Sequence, residues 1–253
     1  VIAACRMESR LHFDIAAQPD LTTCGPTCLH AVYQYFGDNV PLAQLAAETP
    51  RLEQGGTLAV LLGCHALRRG YRATIYTYNL HLFDPTWFRP GASSLAERIE
   101  AQMQAKDDPK LQAASRGYLD YLRLGGSVRM QDMTGNLLRR YLKKSVPVLT
   151  GLSATYLYNE PREAGVPSAP DDVCGVPQGH FVVLCGYDPH ERTVLVADPL
   201  QPNPLSRNEP KYVVDLDRLI CAIMLGIVTY DANLLIIQPR EPRDAARPPG
   251  GVA

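Results

Sequence analysis

The chain has 253 residues, 46% of them hydrophobic, with 25 basic and 26 acidic side chains and a formal net charge of −1. That length and apolar content support one large core burying roughly 70–75% of the unfolded surface. The near-neutral charge excludes a non-specific nucleic-acid binder, which shows a basic excess or stripe. The longest clean apolar run, residues 219–228, is half of the roughly 20 residues a membrane-spanning helix needs. Residues 1–5 are too short for the apolar part of a secretory leader, so none is expected. Seven cysteines (Cys5, Cys24, Cys28, Cys64, Cys174, Cys185 and Cys221) fall at irregular spacing with no Cys-x-x-Cys pair. Free thiols in a reducing, cytoplasmic setting are the expectation.

In chain order the pattern is mixed helix and strand. Cys28, Leu29, Val32 and Phe36 recur at helical spacing and predict a helix over 25–36, with Pro26 in its first turn and Gly37 as its stop. Helices are predicted over 41–48 and 57–69, the second closed by Gly70, and a strand over 71–78. From 79 to about 133 the character changes. A turn with two aromatics, Phe83 and Trp87, precedes helical stretches at 93–104 and 111–124, read as a helical insertion packed on the core. A helix over 134–144, a buried strand over 146–152 and a polar, proline-rich loop over 161–178 follow.

The clearest β signal is a hairpin, 180–187 and 193–197, around a turn at 188–192. A strand at 211–214, a helix at 216–225 and a strand at 234–238 complete a single domain over 1–238, and 239–253 reads as a disordered tail.

Short phosphate and metal signatures are missing: there is no Gly-x-x-x-x-Gly-Lys, Gly-x-Gly-x-x-Gly or His-Glu-x-x-His. No set of ligands has metal-site spacing, so no metal or other cofactor is expected. Ser153 lacks the last glycine of a nucleophile elbow and reads as structural, as do Cys64 and His65 inside a helix. Cys24 differs. It opens the 25–36 helix, where unpaired N–H groups and the helix dipole favour an anion, the setting of reactive thiols. Cys28, one turn on and on the apolar stripe, reads as core. If the hairpin turns about residue 189, His180 and Asp198 oppose each other across the two strands. An imidazole beside a carboxylate is the base and orienter that thiol catalysis requires.

Gln18-Pro-Asp-Leu-Thr-Thr-Cys24-Gly-Pro-Thr-Cys-Leu29, with Tyr35-Phe-Gly37 after it, resembles the front of the bacteriocin-processing cysteine peptidases, papain-like domains known from peptide exporters. Gly55-Gly-Thr-Leu through Gly70-Tyr-Arg-Ala, Gly179-His180-Phe-Val-Val-Leu and Ala197-Asp198-Pro199 resemble the family's later blocks in the same order. The resemblance implies an α+β, papain-like fold, its N-terminal catalytic helix packed on an antiparallel sheet. It also implies Cys24 as nucleophile, His180 as base and then acid, Asp198 as its orienter, and Gln18 as oxyanion donor beside the Cys24 N–H. Gly25 and Gly179, which flank the nucleophile and the histidine, are candidate substrate contacts, with Tyr156 and Arg162 from the neighbouring loop. The substrate expected is a peptide or small amide, with no nucleic-acid partner. Without transporter segments the chain reads as a stand-alone member. An acyl transferase using the same triad, or a non-catalytic peptide-binding module, are the alternatives.

Overall fold

A computed structural model describes residues 8–52, 55–165 and 168–240. The tail expected at 239–253 lies outside the described residues from position 241 onward.

The strands are β1 (Ser9–Arg10), β2 (Arg72–Thr77), β3 (Ser127–Arg129), β4 (Val148–Ser153), β5 (Glu163–Ala164), β6 (Ala169–Pro170), β7 (Gly179–Asp188), β8 (Thr193–Ala197), β9 (Lys211–Asp215) and β10 (Asn233–Gln238). The helices are α1 (Cys24–Tyr35), α2 (Leu42–Glu48), α3 (Ala59–Arg68), α4 (Leu95–Ala105), α5 (Pro109–Arg123), α6 (Gly135–Leu142), α7 (Ala154–Tyr158) and α8 (Leu216–Leu225). One sheet runs in the order β3-β2-β10-β4-β7-β8-β9, with β1 added beside β7. Every pairing is antiparallel except β2 with β3. β5 and β6 form a separate two-stranded piece inside the expected 161–178 loop.

All six residues of β4 and nine of the ten in β7 are buried. Unbroken burial along a strand means that both faces of the sheet are covered. α1 and α3 pack on β7, β2 and β10, while α6 and α8 pack on β7, β4, β8 and β9. Residues 11–15 are buried at every second position, Leu11, Phe13 and Ile15, and the segment is tied to β7 by the Leu11 N–H to the Cys185 carbonyl at 2.8 Å. Within 79–133, α5 packs on α3, Leu111, Ala114 and Tyr118 are buried, and β3 extends the main sheet.

α1 starts where it does for a local reason. The Asp20 carboxylate accepts both the N–H and the hydroxyl of Thr22 at 2.7 Å, a side-chain turn that aims the chain into the helix. Gly37, at φ +81°, then ends it.

The hairpin carrying the two site residues is offset from expectation. Its tip is 189–192, with Arg192 at φ +52°, and Asp188 faces Thr193. A bulge between Leu184 and Gly186 shifts the register once more, so that Val183 faces Ala197. Continued one residue, that register sets Asp198 across from Val182 rather than His180. The two meet diagonally, within reach of side chains of their length.

Candidate functional site

Cys24 is the first residue of α1 and is largely buried, 8% exposed. Its N–H belongs to the first turn, which has no intrahelical partner to offer. Gly25 behind it lets the helix start approach the core: a Cβ there would meet the Thr57 methyl at 2.6 Å and the Phe181 ring at 3.2 Å. The glycine expected to touch substrate is therefore enclosed and needed for packing. Cys28 is fully buried, its thiol donating to the Phe181 carbonyl at 3.2 Å, and burial pushes that thiol well above its ordinary pKa.

His180 lies near the start of β7, and its ring joins two partners. Nε2 and Asp198 Oδ1 are 2.8 Å apart, and the Cys24 thiol is within hydrogen-bonding reach of the ring. With Nε2 taken by the carboxylate, Nδ1 is the atom left for sulfur. Burial disfavours a charged imidazole, but the hydrogen bonds to Asp198 and Cys24 outweigh it and raise the His180 pKa to about 10.

Asp198 is fully buried and accepts four hydrogen bonds. Oδ1 takes His180 and the Leu200 N–H at 2.9 Å; Oδ2 takes the hydroxyls of Tyr158 at 2.6 Å and Tyr212 at 2.5 Å. Burial alone would raise this carboxyl, yet the His180 bond and the two hydroxyls hold it below the usual carboxylate range. Both tyrosines are pushed up by burial and by the anion they face, so they remain donors. Neither tyrosine is marked in the sequence. Tyr158 ends a short unpredicted helix after β4, and Tyr212 reaches Asp198 only because β9 returns beside β8 after a 13-residue connection.

The remaining candidates divide. The Gln18 N–H bonds the Pro199 carbonyl at 2.9 Å, fixing this residue beside the Asp198 loop. Its side-chain amide donates to the Asp20 carbonyl at 3.0 Å, while its Oε1 is buried without a partner. Gly179 sits on the cleft wall, with Thr229 Oγ1 2.8 Å from where a Cβ would stand. Tyr156 and Arg162 are not brought to the cleft. The Tyr156 ring lies under the Arg218 guanidinium at 5.1 Å, and Arg162 donates to the carbonyls of Asp172 and Val173, bracing its own loop. Ser153 caps α7 by accepting the Tyr156 N–H, and His65 bonds Tyr33 and Glu48, as structural readings require.

Cys24 and His180 open onto a cleft of about 1080 Å³. A smaller pocket of about 280 Å³, lined by Gln18, Thr155, Tyr158 and Leu200 among others, also touches His180 and Gly179, so the histidine stands where the two meet. Leu21, Val176 and Val228 give the large cleft an exposed apolar rim. Among the described residues no group of three or more His, Cys, Asp or Glu side chains could hold a metal ion.

The family profile described as the Peptidase_C39 like family matches residues 10–213, from β1 into β9, a span that includes Gln18, Cys24, His180 and Asp198. The chain belongs to that family. Its α+β architecture, a cysteine-bearing helix packed on a mostly antiparallel sheet that carries the histidine, is the papain-like cysteine peptidase fold. Solved structures similar to this C39-like chain include a candidate C39-like peptidase from Bacillus anthracis (16% identity, TM-score 0.46, covering 92% of this chain and 98% of that one). A double glycine motif protease from an AMS/PCAT transporter, solved with a leader peptide, aligns at 14% identity and TM-score 0.42 over 92% and 96%. Xylellain, a cysteine protease from Xylella fastidiosa, aligns at 14% and 0.43 over 92% and 86%. No curated protein sequence matches the chain. Among the described residues no helix is long and apolar enough to cross a membrane.

Proposed function

We propose that this C39-like chain is a thiol hydrolase that cuts a peptide or amide bond through an acyl-enzyme on Cys24. The observation that carries the reading is His180 held between the Cys24 thiol and the Asp198 carboxylate at the edge of an open cleft. With the proton on the imidazole, sulfur is the nucleophile and attacks the carbonyl carbon. The oxyanion forms near the helix start, where the Cys24 N–H and the Gln18 amide, once it leaves Asp20, are the available donors. His180 passes its proton to the leaving amine, then takes one from the water that releases the acyl group. Asp198 keeps the ring oriented throughout. Its four hydrogen bonds leave it little freedom to move.

The test is turnover of an internally quenched peptide mixture by wild type, Cys24→Ala and His180→Ala. Each variant should lose at least about 10³-fold in kcat/KM while keeping its far-UV spectrum, and Cys24→Ala should keep its unfolding midpoint as well. Activity retained by Cys24→Ala sinks the proposal.

A further inference from the structure

Asp231 is a carboxylate that the proposed chemistry does not use. It is buried, 6% exposed, yet it lines the same cleft as Cys24 and His180. Its position relative to the reacting atoms can be followed by contact. Phe181 follows His180, and its ring touches the space beside Gly25, next to Cys24. The far edge of the same ring borders Gly151, where a Cβ would also meet the Asp231 Cβ at 2.7 Å. One aromatic ring therefore separates the carboxylate from the start of α1.

Part of Asp231 has a structural use. Oδ1 accepts the Ala59 N–H at 2.9 Å, capping α3, whose own N-cap residue Leu58 offers no side-chain bond, and the Asn233 side chain also bonds the carboxyl. An asparagine would cap equally well without a charge. The charge is in excess of what the fold needs, and it has no cation within ion-pair distance among the described residues. Lys110, also on this cleft, holds its ammonium over the Tyr230 ring at 4.8 Å instead. The way in suits a long side chain with a charged end. Phe181, Leu52 and Val228 supply apolar wall for an aliphatic stem. Gly55 and Gly56, both at positive φ and bonded to the Leu52 backbone, leave that stretch of the rim without side chains.

We infer that the Asp231 arm of the cleft is a subsite for a basic side chain, arginine or lysine, of the bound peptide. A cation brought beside Asp231 favours its ionised form, which only accepts hydrogen bonds, and a guanidinium or ammonium supplies the donors together with the compensating charge. The inference rests on the peptide-hydrolase reading for its occupant, but not on turnover for its test.

The experiment uses decapeptides of one neutral sequence carrying arginine or norleucine at each successive position. Cleavage is followed by chromatography and mass spectrometry for wild type and Asp231→Asn, and binding of the same peptides to Cys24→Ala by fluorescence polarisation. Norleucine matches the stem without the charge, and the asparagine keeps the cap to Ala59, so the arginine-to-norleucine ratio reads the charge alone. One position should favour arginine by about tenfold or more, the worth of a charge-assisted hydrogen bond. In Asp231→Asn, and in the Cys24→Ala/Asp231→Asn double variant for binding, that ratio should fall below about twofold. Equal ratios at every position in both readouts, or a preference surviving Asp231→Asn, overturn the subsite. Cleavage without any arginine preference removes the subsite and leaves the hydrolase. Arginine-selective binding without cleavage keeps the subsite and removes the hydrolase.

Discussion

Replacing Asp231 by asparagine should stabilise the protein, and by an amount that depends on pH. Burial pushes this carboxyl up to about 7 from the ordinary 3.8, against the hydrogen bonds from Ala59 and Asn233 and the field of Lys110, which act the other way. At roughly 1.4 kcal/mol for each tenfold change in proton affinity, that gap corresponds to about 4 kcal/mol. Below pH 3.8 the group is protonated in both the folded and unfolded chain and costs nothing. Between 3.8 and about 7 the unfolded chain gives up its proton while the folded chain keeps it, so stability falls as pH rises. Above about 7 the folded state carries the full cost of a buried anion. Asparagine never ionises and still accepts from Ala59. Urea unfolding should therefore show Asp231→Asn within about 1 kcal/mol of wild type at pH 4.5 and more stable by up to about 4 kcal/mol at pH 8. A variant no more stable than wild type at pH 8 would refute the argument, because the charge would then be paired or solvated in a way the contacts do not show.

Three further outcomes follow from the same geometry. His180, raised from 6.5 to about 10, contributes stability present below pH 6.5 and lost as pH rises through 10; turnover should fall on that alkaline limb, and Asp198→Asn should move the limb towards neutrality in a pH–rate profile. Tyr158→Phe and Tyr212→Phe each remove one hydroxyl from Asp198 and should cost about 1.5–3 kcal/mol in chemical denaturation. The double variant strips Oδ2 of both donors and should cost more than either single change; equal stability for all three would mean that water replaces the hydroxyls. Gly25→Ala drives a methyl into that of Thr57 and should destabilise by about 1–3 kcal/mol. Adding Thr57→Ser removes the opposing methyl but keeps the hydroxyl bonded to Pro50, so a double-mutant cycle should recover most of the loss.

Local patterns that use nearest neighbours were readable. The apolar spacing after Cys24 gives α1 almost to the residue, Gly37 and Gly70 mark helix ends at positive φ, and 216–225 is predicted as found. The pairing of His180 with Asp198 was also readable, although for an imperfect reason. Direct opposition requires a regular ladder about residue 189, whereas the tip is centred between residues 190 and 191 and, with the bulge, makes the contact diagonal. What could not be read depends on distant segments. Tyr212 meets Asp198 through a 13-residue excursion, and Asp231 reaches the cleft because β10 inserts between β2 and β4. Two-residue strands such as β1 and β5 carry too few side chains for any periodicity to show. Arg162 and Tyr156 carry chemistry suited to a peptide, yet both spend it on neighbouring backbone or side chains, which no local pattern reveals.

The bulge in β7 also sets which insertions and deletions the hairpin can absorb. Side chains alternate along a strand, so losing one residue between the tip and His180 would turn the imidazole to the opposite face of the sheet from Asp198. The tip at 189–192 lies beyond the last pair, Asp188 with Thr193, and changes of length there leave the ladder beneath it in phase. Relatives of this chain should therefore vary freely in the number of tip residues while keeping constant the count from the bulge at Cys185 back to the histidine.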